Sequence, residues 1–202
     1  FGTPATYFRS WGYAAFVNDD WRAAPSLSLN YGLRYEAVTP SSEKYGHIAN
    51  LEVSPGFSQA AVVVPGQPAA FSGALPSALV RGDYNNWAPR IGLAWRPPFD
   101  KALTVRAGYS VMYNSTGYNR FASSMASQPP WAQAQTLSSD ATQVLTLQNG
   151  FPVASPNTLR NTIAIDPNYK LAYAQLWNVS VDTTLIRNMP IGVTYTGTKG
   201  TH

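Results

Sequence analysis

Cysteine is absent from the 202 residues, which removes a disulfide framework, a thiolate metal site and a cysteine nucleophile at once. Charge is scarce: 12% of residues are Asp, Glu, Lys or Arg, about half the roughly 25% typical of soluble domains. The 14 basic residues are scattered rather than clustered, so the net charge of +4 predicts no nucleic-acid partner. No unbroken apolar run exceeds five residues, Ala60–Val64 being one, so no transmembrane helix is encoded. Histidine occurs only at His47 and His202, too far apart in sequence to predict a metal site. Neither a Gly-x-Ser-x-Gly elbow nor a phosphate-cradling glycine loop is present. The Asp19-Asp20 pair reads as turn chemistry rather than as general acid and base. The sequence thus predicts no enzyme, no metal and no cofactor.

Aromatics, by contrast, are abundant at 13%, far too many for a disordered tail. They recur with their apolar neighbours at every second position, the period of a β-strand. Leu27, Leu29, Tyr31, Leu33 and Tyr35 share one face, with Ser28, Asn30, Gly32, Arg34 and Glu36 on the other. The stretches near 87–96 and 103–113 divide the same way, and those near 11–20, 171–183 and 191–198 do so more weakly. Six strands are therefore predicted, in three hairpins with short turns at Asp19–Ser26, Pro97–Ala102 and Leu185–Pro190. Between the hairpins lie two long segments, 37–86 and 114–170, rich in Ser, Pro, Gly, Asn and Gln.

Loops of about fifty residues fit a compact soluble domain badly. Long loops at one end of the strands and short turns at the other are the mark of an outer-membrane β-barrel, with short periplasmic turns and long extracellular loops. The fold class is thus all-β, an antiparallel transmembrane barrel segment facing outer-membrane lipid. Tyr13 and Trp21, like Trp87 and Trp95, stand eight residues apart on one face. With Tyr35, Tyr109 and Tyr113 toward the loop side, they are the candidate aromatic girdle. A soluble β-sandwich binding module or adhesin shares the alternation and is the rival reading. Six strands do not close an outer-membrane barrel, so the chain, which starts at Phe1 and stops at His202, reads as a processed or excised piece of something larger.

Three cations sit mid-strand on the polar faces: Arg34, Arg90 and Arg106. The guanidinium fork suits carboxylate or phosphate, so these are candidates for contact with an anionic substrate or with acidic groups of a plug inside the barrel. Pairing with carboxylates such as Glu36 or Asp182 is the structural alternative. Tyr118, Trp131 and Phe151 are candidate contacts in the long loops, since exposed loops on a rigid scaffold commonly carry binding.

The run Phe16-Val17-Asn18-Asp19-Asp20-Trp21-Arg22, followed by Leu27 to Glu36, resembles a strand pair of TonB-dependent outer-membrane receptors. Asn86 to Trp95, Val105 to Tyr113, Tyr173 to Val179 and Val193 to His202 resemble further strands of the same family, in the same order. The combination is closest to the Oar-like subgroup and leaves the two long loops outside the likeness. The resemblance implies a barrel of about 22 strands in the bacterial outer membrane. It also implies a plug domain, remaining barrel strands, and an N-terminal region through which the TonB complex drives uptake or surface binding of a large solute. A passive porin-type barrel is the alternative within the membrane class.

Overall fold

The computed structural model describes residues 5–132, 139, 144–148, 150, 162–185 and 189–201. It divides into two compact units. The larger share of the regular structure lies in the unit formed by Ser10–Pro40, Gly82–Tyr118 and Asn168–His202. Six antiparallel strands form it: β2 (Gly12–Ala24), β3 (Leu27–Val38), β7 (Asn86–Trp95), β8 (Thr104–Tyr113), β9 (Tyr173–Leu185) and β10 (Met189–Thr201). Their order across the sheet is β10-β9-β8-β7-β3-β2. Each pair is a neighbour in sequence apart from the long excursions between β3 and β7 and between β8 and β9. The sheet is open, with β2 and β10 at its edges.

The first and last strands run longer than expected. The first strand was expected to end near residue 20, with Asp19 and Asp20 in the turn. Instead β2 runs on to Ala24, a register shift falls between Trp21 and Ala24, and both aspartates lie within the strand. The reason is local pairing. Asn30 donates to the Asp20 carboxylate, and the Tyr31 hydroxyl donates to Asp19 Oδ2 at 2.6 Å, so each acid has a cross-strand partner. The last strand begins at Met189 rather than at 191 and continues to Thr201.

One face of the sheet is apolar and bare. Val193 is 69% exposed and Ile91 56%, with Val17, Trp87 and Tyr195 exposed alongside them. A sandwich would bury this face under a second sheet, and among the described residues nothing covers it. The apolar stretch also slides from strand to strand. Val193, midway along that of β10, registers through Val181, Val105 and Trp95 with Leu27, at the turn end of β3. The apolar stretch of β3 centres four residues on, at Tyr31. That slide of about 13 Å across about 19 Å of sheet levels into one flat band if the strands slant by about 35°, the tilt of barrel strands in a membrane. Among the described strand residues, the charges on this face are Asp19 and Lys199.

Trp177 lies across Gly197, its partner in the ladder, and a Cβ at Gly197 would fall within the indole. The missing side chain is the space that the ring fills. Gly197→Val should cost about 1–3 kcal/mol through overpacking. Adding Trp177→Ala should return much of that loss, seen as a non-additive pair in denaturant midpoints. A fully additive pair would refute the contact.

The second unit gathers Phe1–Arg9, Ser41–Arg81 and Asn119–Pro167. The long segments expected as loops thus carry structure of their own. A short pair joins β1 (Phe8–Arg9) to β4 (Ser42–Glu43), and another joins β5 (Asn50–Val53) to β6 (Ala60–Val63). Helix α1 (Gly117–Ala126) places Ala122, Met125 and Ala126 among the buried residues, as are Ile48, Leu79 and Val80. Buried amides stitch the irregular chain. Asn50 exchanges two hydrogen bonds with the backbone of Ile165, at 2.8 and 2.9 Å. Gln128 donates to the Ala49 carbonyl at 2.6 Å and accepts from the Ile163 N–H at 2.7 Å. Such side chains replace the ladder that a loop lacks.

Candidate functional site

Strand alternation brings the polar side chains of the sheet to one face. Across its middle runs a row of small or amide side chains: Asn30, Gly92, Gly108, Asn178 and Thr196. Gly92 and Gly108 face one another, which leaves the backbone there open. The neighbouring row holds Gly32, Arg90, Ser110 and Leu176, and beyond it Arg34 stands opposite both Phe16 and Ala88. Two hollows result. One, of about 370 Å³, is lined by Phe16, Asn18, Arg34, Arg90, Ser110 and Met112, among others. The other, of about 610 Å³, includes Asp20, Asn30, Gly92, Arg106, Asn178 and Thr194.

The three predicted arginines all stand on this face but differ in their surroundings. Arg34 is paired with Glu36, two residues along the same strand. Arg106 reaches diagonally to Asp182 on β9. Both pairs are substantially exposed, and each contributes only ~0–1 kcal/mol to stability. Their effect on the face is electrostatic instead: two of its cations are already neutralised. The Arg90 guanidinium has no ion pair and no hydrogen bond among the described residues.

One bare apolar face and one polar face on strands of 10–13 residues describe a sheet built to separate lipid from water. A family model described as an outer membrane beta barrel domain matches residues 1–202. The chain belongs to that family. Comparison with curated proteins finds no match. As an outer membrane beta barrel domain it resides in the bacterial outer membrane, its apolar face toward lipid and its polar face toward the lumen.

On the lipid face of this barrel domain, Tyr35 packs against Trp87 with ring centroids 4.7 Å apart, and its hydroxyl donates to the Tyr84 carbonyl at 2.9 Å. Tyr113 lies 5.5 Å from Tyr173. Trp95 is followed by Phe99 at 6.3 Å near the turn end, and Trp21 lies near the turn end of β2, with Tyr13 toward the other end of that strand. Tyr109, expected toward the loop-side rim, pairs with Ile91 and Trp177 in mid-sheet and donates to Gln175 Oε1 at 3.1 Å.

The loop candidates also separate. Tyr118 is 2% exposed, and its hydroxyl accepts the Asp83 N–H at 3.0 Å, so its place is in packing; burial pushes that hydroxyl's pKa up. Asp83 in turn accepts the Leu171 N–H at 3.0 Å. Trp131 is partly exposed, stacks on His47 at 4.6 Å and donates its indole N–H to the Ile48 carbonyl at 2.9 Å. Phe151 lies outside the described residues.

Sequence reasoning missed Glu43. Burial pushes this carboxyl up, but the backbone N–H groups of Tyr7, His47 and Tyr45, at 3.0, 2.9 and 2.7 Å, outweigh that and hold it below its ordinary value. Around it, Lys44 Nζ sits 4.7 Å from the Tyr45 ring. Two of the donors to Glu43 are local, two and four residues on, but the third, Tyr7, lies 36 residues away and reaches it only through the fold. Among the described residues no cluster of His, Asp or Glu could hold a metal.

Proposed function

We propose that this barrel domain is part of a TonB-dependent receptor of the Oar-like kind, which takes up or holds at the surface a large solute with energy supplied through TonB. The observation that carries the reading is the order of its motifs. The stretches resembling receptor strands are strands of a single sheet, taken in chain order with no stretch skipped. A plug domain, further barrel strands and the TonB complex are the partners this reading requires. Tyr13, Tyr35, Trp87 and Tyr113 on the loop side, with Trp21 and Trp95 on the turn side, then serve as the two aromatic girdles. The order within the second unit, with Trp131 partly exposed there, supports a recognition role for the long segments.

The test uses the full-length protein in planar bilayers together with the purified periplasmic domain of TonB. An energised receptor should bind that domain and show no steady ion conductance. Steady conductance without TonB binding would assign the chain to a passive porin.

A further inference from the structure

We infer that Arg90 anchors the acidic head of a ligand whose apolar body rests between Phe16 and Met112 on the lumen face. The first observation is charge. Arg34 and Arg106 are committed to Glu36 and Asp182, whereas the Arg90 guanidinium has neither ion pair nor hydrogen bond among the described residues. Its direct neighbours across the ladder are Gly32 and Ser110, and neither can neutralise a guanidinium. A planar fork of donors left open in this way is complementary to a carboxylate or a phosphate.

The second observation is independent of charge. Phe16 is 68% exposed and Met112 60% exposed, on a face whose other members are mostly polar or small. Large apolar side chains held in a hydrated lumen gain by being covered, at roughly 25 cal/mol per Å². Phe16 and Met112 line the same hollow as Arg90, with Ala88 and the mutually paired Arg34 and Glu36 also on its wall, and its volume of about 370 Å³ is that of a small-ligand site. Cation and apolar flanks together select an acid borne on an apolar body over a bare inorganic anion. That ligand comes either from a solute in the lumen or from an Asp or Glu set among apolar residues in a lumenal segment of the same protein. The inference requires only that this face be lumenal and holds for an energised or a passive barrel alike.

The experiment is equilibrium dialysis of 2-naphthoate against vesicles carrying the full-length protein, with protein-free vesicles as the baseline. Saturable binding is expected, at least tenfold tighter than for acetate or for neutral 2-naphthylmethanol. Arg90→Gln should weaken it at least tenfold, Phe16→Ala several-fold, and Arg90→Lys should retain part of it, which guards against misfolding of the glutamine variant. If the protein's own acid fills the site, naphthoate does not bind. Arg90→Gln, but not Arg90→Lys, should then speed amide exchange of a lumenal segment at least tenfold. Naphthoate binding that is indifferent to Arg90→Gln overturns the inference. So does the absence of naphthoate binding together with unchanged exchange.

Discussion

Val193→Lys is expected to destabilise the full-length barrel in lipid vesicles by about 2–4 kcal/mol, while Thr194→Lys, one residue away, changes it by less than about 1 kcal/mol. The two positions are chemically mild and adjacent, and differ only in which face of β10 they occupy. Val193 lies midway along the lipid-facing stretch of its strand, where an ammonium group has neither water nor a partner. Thr194 faces the lumen beside Ser180, where a charge stays hydrated. Urea midpoints of the two variants in the same vesicles measure the difference. Equal effects would mean that the faces are wrongly assigned.

Glu43→Ala should open the second unit locally by roughly 3 kcal/mol, because three partly buried backbone hydrogen bonds lose one shared acceptor. The readout is amide exchange at Tyr7, Tyr45 and His47, which should accelerate together. Acid should mimic the substitution. The carboxyl has a lower pKa folded than unfolded, so its contribution is fully present above its ordinary value of 4.5 and fades as pH falls through the depressed folded value. Protection at the same three amides should therefore decline below about pH 4.5 in the natural protein and show no such decline in Glu43→Ala. Protection at these amides that is independent of pH in both would refute the anchor.

The sheet was readable because each strand carries its own evidence. Leu27 to Tyr35 alternates without a fault, and Pro97-Pro98 marks where β7 must stop. The second unit was harder, since its order comes from contacts remote in sequence, such as Asn50 with Ile165. Helix α1 did leave a trace: Tyr118, Ala122, Met125 and Ala126 follow the i, i+4, i+7, i+8 spacing of a buried helical face. Among the arginines, the sequence could place all three on the lumen side. It also offered Glu36 and Asp182 as the carboxylates that could pair with them: Glu36 stands two residues from Arg34 on the same face, whereas Asp182 lies 76 residues from Arg106 and meets it only through the register of β8 with β9. Asp19 misled for a related reason. An acid ahead of Trp21 reads as turn chemistry until its pairing with Tyr31 is seen.

The second unit is assembled from three separated pieces of chain, and the residues between β1 and β4 are those of the β2–β3 hairpin. Gly12 pairs with Val38 at the open end of that hairpin, so zipping it brings the chain on either side close together. Without the hairpin, a loop of about thirty residues would have to be closed at its own entropic cost before β1 could pair with β4. The two pairings are therefore linked thermodynamically: whatever stabilises the β2–β3 hairpin also favours the short pair, so a lipid-facing strand pair contributes to order in a unit that shares none of its sheet.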